Sequence, residues 1–343
     1  MSRNIISQIE PLQPEYVPSK FIERNKIQET LSNLLGKNSS RNVHLEGPPG
    51  TGKTHLTHSQ VNQLSGDVQT CYINCITADT QYKALKQILQ TLTQEKIRSG
   101  YHTSTLQRKV EQQTGALHTV IVLDEIDFLL HNDGDDLLYY LSRIKNSTSV
   151  NTVTISSTST NLKQQIEERT HSSLQPYPVQ LEPYTGEQHY NILHTRAQHA
   201  LKPQTLQQNA LTYIASTTSN PALSLQWLKT AATETDTVIT ETTVKNTETQ
   251  ARQKYVEHLL QPFTQHHSLL YTSIQQLSEK QDTIHTGTVY KQYGELCETK
   301  DIEPLSNRRI SDHLKQLELL QLITAQYHYG GNTGKTRKIQ LKQ

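Results

Sequence analysis

Residues 47–54 read GPPGTGKT, set between RNVHLE (41–46), which reads as a short strand, and HLTHSQVNQL (55–64), which has helical spacing. Gly47, Gly52, Lys53 and Thr54 meet the pattern G-x-x-x-x-G-K-[ST] in the strand, loop and helix setting that it requires. Such a loop aims backbone N–H groups and the positive end of a helix at one anion, so a nucleotide phosphate site is expected. Its contacts run through Gly47, Pro48, Pro49, Gly50, Thr51, Gly52, Lys53, Thr54 and His55, with Lys53 reaching the terminal phosphates and Thr54 ligating magnesium. GGNTGKT (330–336) also ends in Gly-Lys-Thr, but Tyr329 stands where the first glycine belongs and the flanks are β-like, so it reads as a hairpin turn.

A second element, TVIVLDEIDFLL (119–130), supplies what a phosphate loop lacks. Val120 to Leu123 are the unbroken apolar run of a strand covered on both faces, and they deliver Asp124 and Glu125 to its carboxyl end. There Asp124 would hold magnesium through water, and Glu125 would orient and deprotonate an attacking water. TCYINC (70–75), VNTVTISS (150–157) and PVQLEPY (178–184) are further strands with helical stretches between them, which predicts a three-layer α/β sheet.

At 343 residues the chain exceeds one ordinary core and implies two or three compact units. Apolar residues make up only 33%, and neutral polar side chains rather than charge take their place. Cys71, Cys75 and Cys297 have neither disulfide-framework nor zinc spacing, which suits a reducing interior. With no signal peptide in the first twenty residues and no run of membrane-span length, a soluble cytoplasmic, nucleoid-associated protein without a membrane partner is expected. Net charge is +1, yet residues 304–343 hold seven Lys or Arg against Asp312 and Glu318, a possible nucleic-acid footprint.

With these pieces in order the sequence resembles the AAA+ superfamily. Within it, the chain is similar to the archaeal initiator family related to the eukaryotic origin-recognition subunits and their cell-division-cycle loading partner. The likeness runs from YVPSKFIERNKIQETLSNLL (16–35) through GPPGTGKT, VLDEIDFLL, DLLYYLSRI (136–144) and IEERTHSSL (166–174) to LEPYTGEQHYNILHTRAQHAL (181–201). It implies an α/β three-layer AAA+ P-loop ATPase core with a helical lid, followed by a winged helix-turn-helix domain. The implied limits are an N-terminal tail 1–15, core 16–183, lid 184–255 and winged helix 256–343. ATP or ADP with Mg2+ are the implied cofactors. Arg24 is expected near the adenine, Tyr184 and Arg196 close over the nucleotide from the lid, and Arg169 resembles the arginine finger, with an ion pair to Glu167 or Glu168 as the alternative. The family carries Asn where this chain has Ser157, and a lid Arg where it has Ala222, with Lys229 two turns further on. Both departures weaken hydrolysis more than binding.

In LSNRRISDHLKQLELLQLI (305–323), Ile310, Leu314 and Leu317 share one helical face, while Arg308, Ser311 and Lys315 cluster opposite, as a recognition helix would. Arg308 and Arg309 are candidates for base reading. In the hairpin TAQYHYGGNTGKTRKIQL (324–341), Ile339 and Leu341 face inward, Lys338 and Lys342 outward, and Lys335 and Arg337 crowd the turn; the resemblance implies DNA contacts at Lys315, Lys335, Arg337 and Lys338 as well as at Arg308 and Arg309. Lys96, Arg98, Arg108 and Lys109 fall in the region where the family carries a DNA-contacting insertion. His266 and His267 read as helix surface, with no ligand cluster beside them.

The resemblance implies an initiator ATPase that recognises double-stranded DNA origin repeats. It would recruit or load the replicative helicase, and other initiator copies are possible partners. A nucleotide-gated transcription or plasmid-maintenance regulator, and a branch-migration or clamp-loading motor, remain open on the same parts.

Overall fold

A computed structural model describes residues 5–36, 41–64, 66–144, 150–157, 161–281, 283–328 and 336–342. The chain divides into two compact units, Met1–Arg252 and Gln253–Gln343.

After a 3-10 turn at Glu10–Leu12, the first unit runs through α1 (Asn25–Leu35), β1 (Val43–Glu46), α2 (Lys53–Asn62), β2 (Val68–Asn74), α3 (Gln81–Thr93), α4 (Thr103–Thr114) and β3 (His118–Asp124). It continues through α5 (Ile126–Asp133), α6 (Asp136–Ser142), β4 (Val150–Ser156), α7 (Leu162–Gln165), α8 (Glu168–Leu174) and β5 (Tyr177–Gln180). The sheet is parallel in the order β2-β3-β4-β1-β5. Every residue of β3 is buried, as its apolar run requires of a strand covered on both faces. Because β4 lies between β3 and β1, the carboxyl ends carrying Asp124, Ser157 and the glycine loop are neighbours. The last strand is shorter than PVQLEPY suggested: Leu181 N still donates to Glu46 O, and then the chain leaves the sheet. Pro178 is tolerated because β5 is an edge.

Helices α9 (Gly186–Ala200), α10 (Gln208–Thr217) and α11 (Pro221–Thr233), with the first part of α12 (Glu241–Leu260), form the region expected as a lid. Their core surrounds Trp227, whose Nε1 donates to Val244 O at 2.9 Å. Residues 5–12, expected as part of a tail, are built into this core. Ile5 and Leu12 are buried in it, Ser7 N donates to Ala200 O, and Lys202 N donates to Ile5 O. Two large apolar side chains give this segment a reason to dock.

In the second unit α13 (Gln265–Ser278), α14 (Thr286–Thr299) and α15 (Asn307–Leu319) pack with the antiparallel sheet β6-β8-β7, formed by Ile284–His285, Thr336–Leu341 and Ile323–His328. Ile310, Leu314, Leu317 and Ile339 are buried together, as their periodicity predicts. His267 is not helix surface: it is buried on α13, stacked on His313 at 3.9 Å and bonded to Gln316 at 2.6 Å. Its spacing from Leu270 and Ile274 turns it to the core side of α13.

Candidate functional site

The glycine loop is held in a shape that few other sequences adopt. Gly50 has φ +79° and Gly52 φ +89°, both left-handed, and a Cβ on Gly50 would lie 2.8 Å from Asn220 Oδ1 and 2.8 Å from Pro221 Cδ. The first turn of α11 therefore sits against the loop. Lys53, buried at the start of α2, donates to Gly47 O at 2.6 Å and Pro48 O at 2.9 Å, and Thr51 Oγ1 donates to Pro48 O. Burial lowers the Lys53 pKa, and Glu125, Asp124 and Asp127 oppose that shift. A buried cation ringed by carbonyls at a helix N-terminus fits a phosphate group.

The acidic end of β3 meets the loop directly. Thr54 Oγ1 and Tyr72 Oη both donate to Asp124 Oδ2, at 2.9 and 2.5 Å, and Glu125 N donates to Asp124 Oδ1. This hydroxyl and carboxylate pair is a hard oxygen donor set of the kind Mg2+ takes, with few protein ligands and room for water. Tyr72 is itself stacked on His58, ring centroids 3.6 Å apart. Glu125 has left-handed φ 52° and ψ 46°, a conformation costing a non-glycine residue about 1 kcal/mol and concentrated at functional sites. Ser157 Oγ donates to Glu125 Oε1 at 3.0 Å, while Asp127 accepts from Ser157 N and Ser156 Oγ, each at 3.0 Å. Burial, followed by Asp124, raises the Glu125 carboxyl pKa, and Lys53 draws it back.

On the lid side, two arginine and tyrosine pairs cross between segments. Arg24 lies over the Tyr184 ring at 4.2 Å and donates to Glu182 O at 2.6 Å. Its Nη2 also lies 3.5 Å from Thr51 O. Arg196 lies over the Tyr16 ring at 4.4 Å and donates to Tyr16 O and Gln13 O at 3.0 and 3.1 Å. The buried Arg196 guanidinium is thus bonded to the N-terminal segment. The same segment meets His55, whose Nε2 lies 2.5 Å from Pro14 O. Ala222 stands in the first turn of α11, its N–H capped by Asn220 Oδ1 at 3.0 Å. Lys229 is about 10 Å further along the axis at 1.5 Å per residue. Arg169 is exposed on α8, paired with Glu167 at 2.7 Å and Asp136 at 3.6 Å, and lies 5.0 Å from the Tyr139 ring centre.

In the second unit, Arg308 and Arg309 are exposed on the first turn of α15. Lys315 is paired with Glu318 at 2.8 Å, and Arg337 Nη2 donates to Ser311 Oγ at 2.8 Å. Lys338 is partly exposed, and Lys335 lies outside the described residues. Lys96, Arg98 and Arg108 are exposed in the α3–α4 region, with Lys109 over Tyr101 at 5.4 Å.

Residues 37–175 match a family described as AAA domain, and residues 258–343 match one described as CDC6, C terminal winged helix domain. The ORC1-type DNA replication protein of Thermococcus kodakarensis is 30% identical over 369 residues, covering 99% of this chain and 89% of that protein. The chain belongs to the ORC1-type DNA replication protein family. The ORC1-type protein of Pyrococcus abyssi has the same identity, with 99% and 88% covered. The structure of the Aeropyrum pernix ORC1 protein in complex with DNA is similar at 27% identity and TM-score 0.76, covering 100% of this chain and 95% of that one. Cdc6p from Pyrobaculum aerophilum, 18% identical with TM-score 0.61, shares the fold, with 97% and 94% covered.

Sequence reasoning missed several contacts of this ORC1-type chain. Tyr72 on Asp124 joins strands through side chains 52 residues apart, and no local pattern announces it. Asn220 and Pro221 against Gly50 had a signal, since Asn followed by Pro marks a helix start, but not its destination. Arg337 was expected beside the turn as a DNA contact, and the reach of its side chain to Ser311 on α15 was not foreseen.

Proposed function

We propose that this ORC1-type chain is an ATP-governed initiator that binds double-stranded origin DNA, hydrolyses ATP slowly, and recruits or loads the replicative helicase while ATP-bound. The observation that carries the reading is the whole-chain likeness to ORC1-type replication proteins, in which the converged nucleotide site and the winged helix occur in one polypeptide. The Aeropyrum pernix ORC1 protein, solved in complex with DNA, supports the DNA-binding part of this reading.

The loop N–H groups and Lys53 would hold the phosphates, and Thr54 and Asp124 would hold Mg2+. The ion would neutralise charge on the terminal phosphates and fix their geometry for in-line attack. Glu125 orients the attacking water and accepts its proton at a carboxylate oxygen. Ser157 restrains that step, because its hydroxyl donates to the same carboxylate and holds Glu125 toward the end of β4. Ala222 follows the Asn220 and Pro221 that meet Gly50, and offers a methyl in place of a cation that would stabilise charge on the phosphoryl group. Arg24 and Tyr184 wall the nucleotide, and Arg196 and His55 secure the N-terminal segment beside it. Arg169 would exchange Glu167 and Asp136 for the terminal phosphate bound by another initiator copy.

Single-turnover and steady-state hydrolysis test the slow switch: tight ATP binding with turnover below about one per second is expected. Turnover above that rate by the isolated protein sinks it. Genome-wide footprinting tests the initiator assignment. Protection of one intergenic repeat cluster is expected, and protection spread over promoters would instead make the chain a transcription regulator.

A further inference from the structure

We infer that Arg337 is a positioning residue that clasps the wing to the recognition helix α15, and that this clasp sets how sharply the unit discriminates between duplex sequences. The inference rests on the duplex-binding reading above.

By period-two alternation Arg337 shares its strand face with Ile339 and Leu341, not with Lys338. Ile339 is buried and Leu341 packs against the same core. The guanidinium follows that face inward and donates to Ser311 Oγ at 2.8 Å, on the helix that bears Arg308 and Arg309. The backbone at Arg337 is fixed as well: its N–H donates to Thr286 Oγ1 at 3.3 Å, and the same hydroxyl donates to Arg337 O at 3.2 Å. Thr286 is the first residue of α14. One residue at the root of the wing is thus tied to two helices. Two turns further along the same face of α15, Glu318 repeats the device, accepting from Lys315 and from Ala325 N on β7.

A unit that reads bases with a helix and meets phosphates with a wing needs the two held at a fixed spacing. If the spacing slackens, binding to the matching sequence loses more than binding to an arbitrary one, because only the matching site uses both elements together. An arginine serving as a phosphate contact behaves differently. It acts on every duplex alike and contributes about 0.9 to the salt slope.

The test uses the full chain with two probes: a mixed-sequence duplex of three helical turns, and the duplex that the wild-type protein enriches from a randomised library. Thermal melts confirm folding. Ser311→Ala, which removes no charge, is expected to lower affinity for the enriched duplex about tenfold and for the mixed duplex less than about threefold. Ser311→Thr, which keeps the hydroxyl, is expected to restore discrimination. Arg337→Ala should match Ser311→Ala in discrimination, with a salt slope close to wild type, and the double variant should be no worse than either single. A salt slope lowered by about 0.9 in Arg337→Ala, with Ser311→Ala indistinguishable from wild type, makes Arg337 a phosphate contact and overturns the clasp. Equal losses on the two duplexes overturn it too. Wild-type protein that binds no duplex in a salt-dependent way defeats the duplex-binding reading itself, an outcome distinct from loss of discrimination alone.

Discussion

The nucleotide unit and the winged-helix unit place their charges in opposite ways. Around the glycine loop, Lys53, Asp124 and Asp127 are buried; hydrogen bonds through Ser157 and the Glu125 backbone link Asp124, Glu125 and Asp127, while Lys53 is held by the loop carbonyls of Gly47 and Pro48. On α15, Arg308 and Arg309 are exposed and have no ion-pair partner among the described residues. The first arrangement acts through geometry, where low dielectric makes each contact strong and interdependent. The second acts through field, where contributions are small, additive and screened by salt. A substitution in the first should therefore be large and insensitive to salt, and one in the second small and salt-dependent.

The sharpest break in that contrast comes from Lys53→Ala. Two charge-assisted bonds to a bound phosphate are worth together about 4 kcal/mol, so ATP affinity should fall roughly a thousandfold by calorimetry. Duplex affinity of nucleotide-free protein should keep its salt slope. A changed slope would mean that the two charge systems are not separate.

Acid tests the buried charges next. His44, buried in β1 with Nδ1 2.8 Å from Thr154 Oγ1, has its pKa pushed down to about 4, mainly by burial, with Asp127 and Thr154 opposing. His313 in the winged-helix unit is also pushed down to about 4, by burial and then by His267 and His266. A histidine lowered in the fold binds fewer protons than in the unfolded chain. Its stabilisation is therefore complete above pH 6.5 and is lost as pH falls from there toward 4. For buried His44 this amounts to about 3 kcal/mol at most. Trp227, the chain's single tryptophan, is buried in the first unit and reports that unit alone. Its urea midpoint should fall between pH 6.5 and 4 in wild type and flatten in His44→Gln. A midpoint equally steep in the variant would remove His44 as the cause.

Tyr72→Phe removes one hydrogen bond to Asp124 Oδ2, an effect of about 1 kcal/mol. Affinity for ATP with Mg2+ should fall about fivefold, and affinity without the metal should hold. Equal losses with and without Mg2+ would assign Tyr72 to the loop rather than to Asp124.

What the sequence disclosed divides along the same line. GPPGTGKT and the run ending in Asp124 and Glu125 were legible because strand, turn and carboxylate are set by neighbours in the chain. The burial of Ile310, Leu314 and Leu317 followed from periodicity. The hold of Ser157 on Glu125 was not legible, because it depends on β4 lying beside β3, and only the sheet order supplies that. Ser157 therefore read only as weakening water positioning, with its bond to Glu125 unseen. The bonds of Arg196 were hidden in a similar way: it was expected to close over the nucleotide from the lid, and the carbonyls it meets, Gln13 O in the expected tail and Tyr16 O at the start of the expected core, lie 183 and 180 residues away in the chain. His267 erred in the other direction, since two adjacent histidines suggested a polar surface while the spacing to Leu270 already turned one of them inward.

The smallest effect is the one that best tests the field description. Lys338 follows Arg337 on β8 but points to the other face, paired in register with Gln326 and His285. It is a candidate to meet phosphate directly. Lys338→Ala should weaken binding to matched and mixed duplexes by the same factor and lower the salt slope by roughly 0.9. The loss should shrink as salt rises, because counterion release contributes less where counterions are already concentrated. Arg308→Ala, by contrast, should relax discrimination at particular base positions, since the first turn of a recognition helix faces base edges. If Lys338→Ala left the slope unchanged while altering discrimination, the wing would be working by geometry as the nucleotide unit does, and the contrast between the two units would fail where it is most exposed.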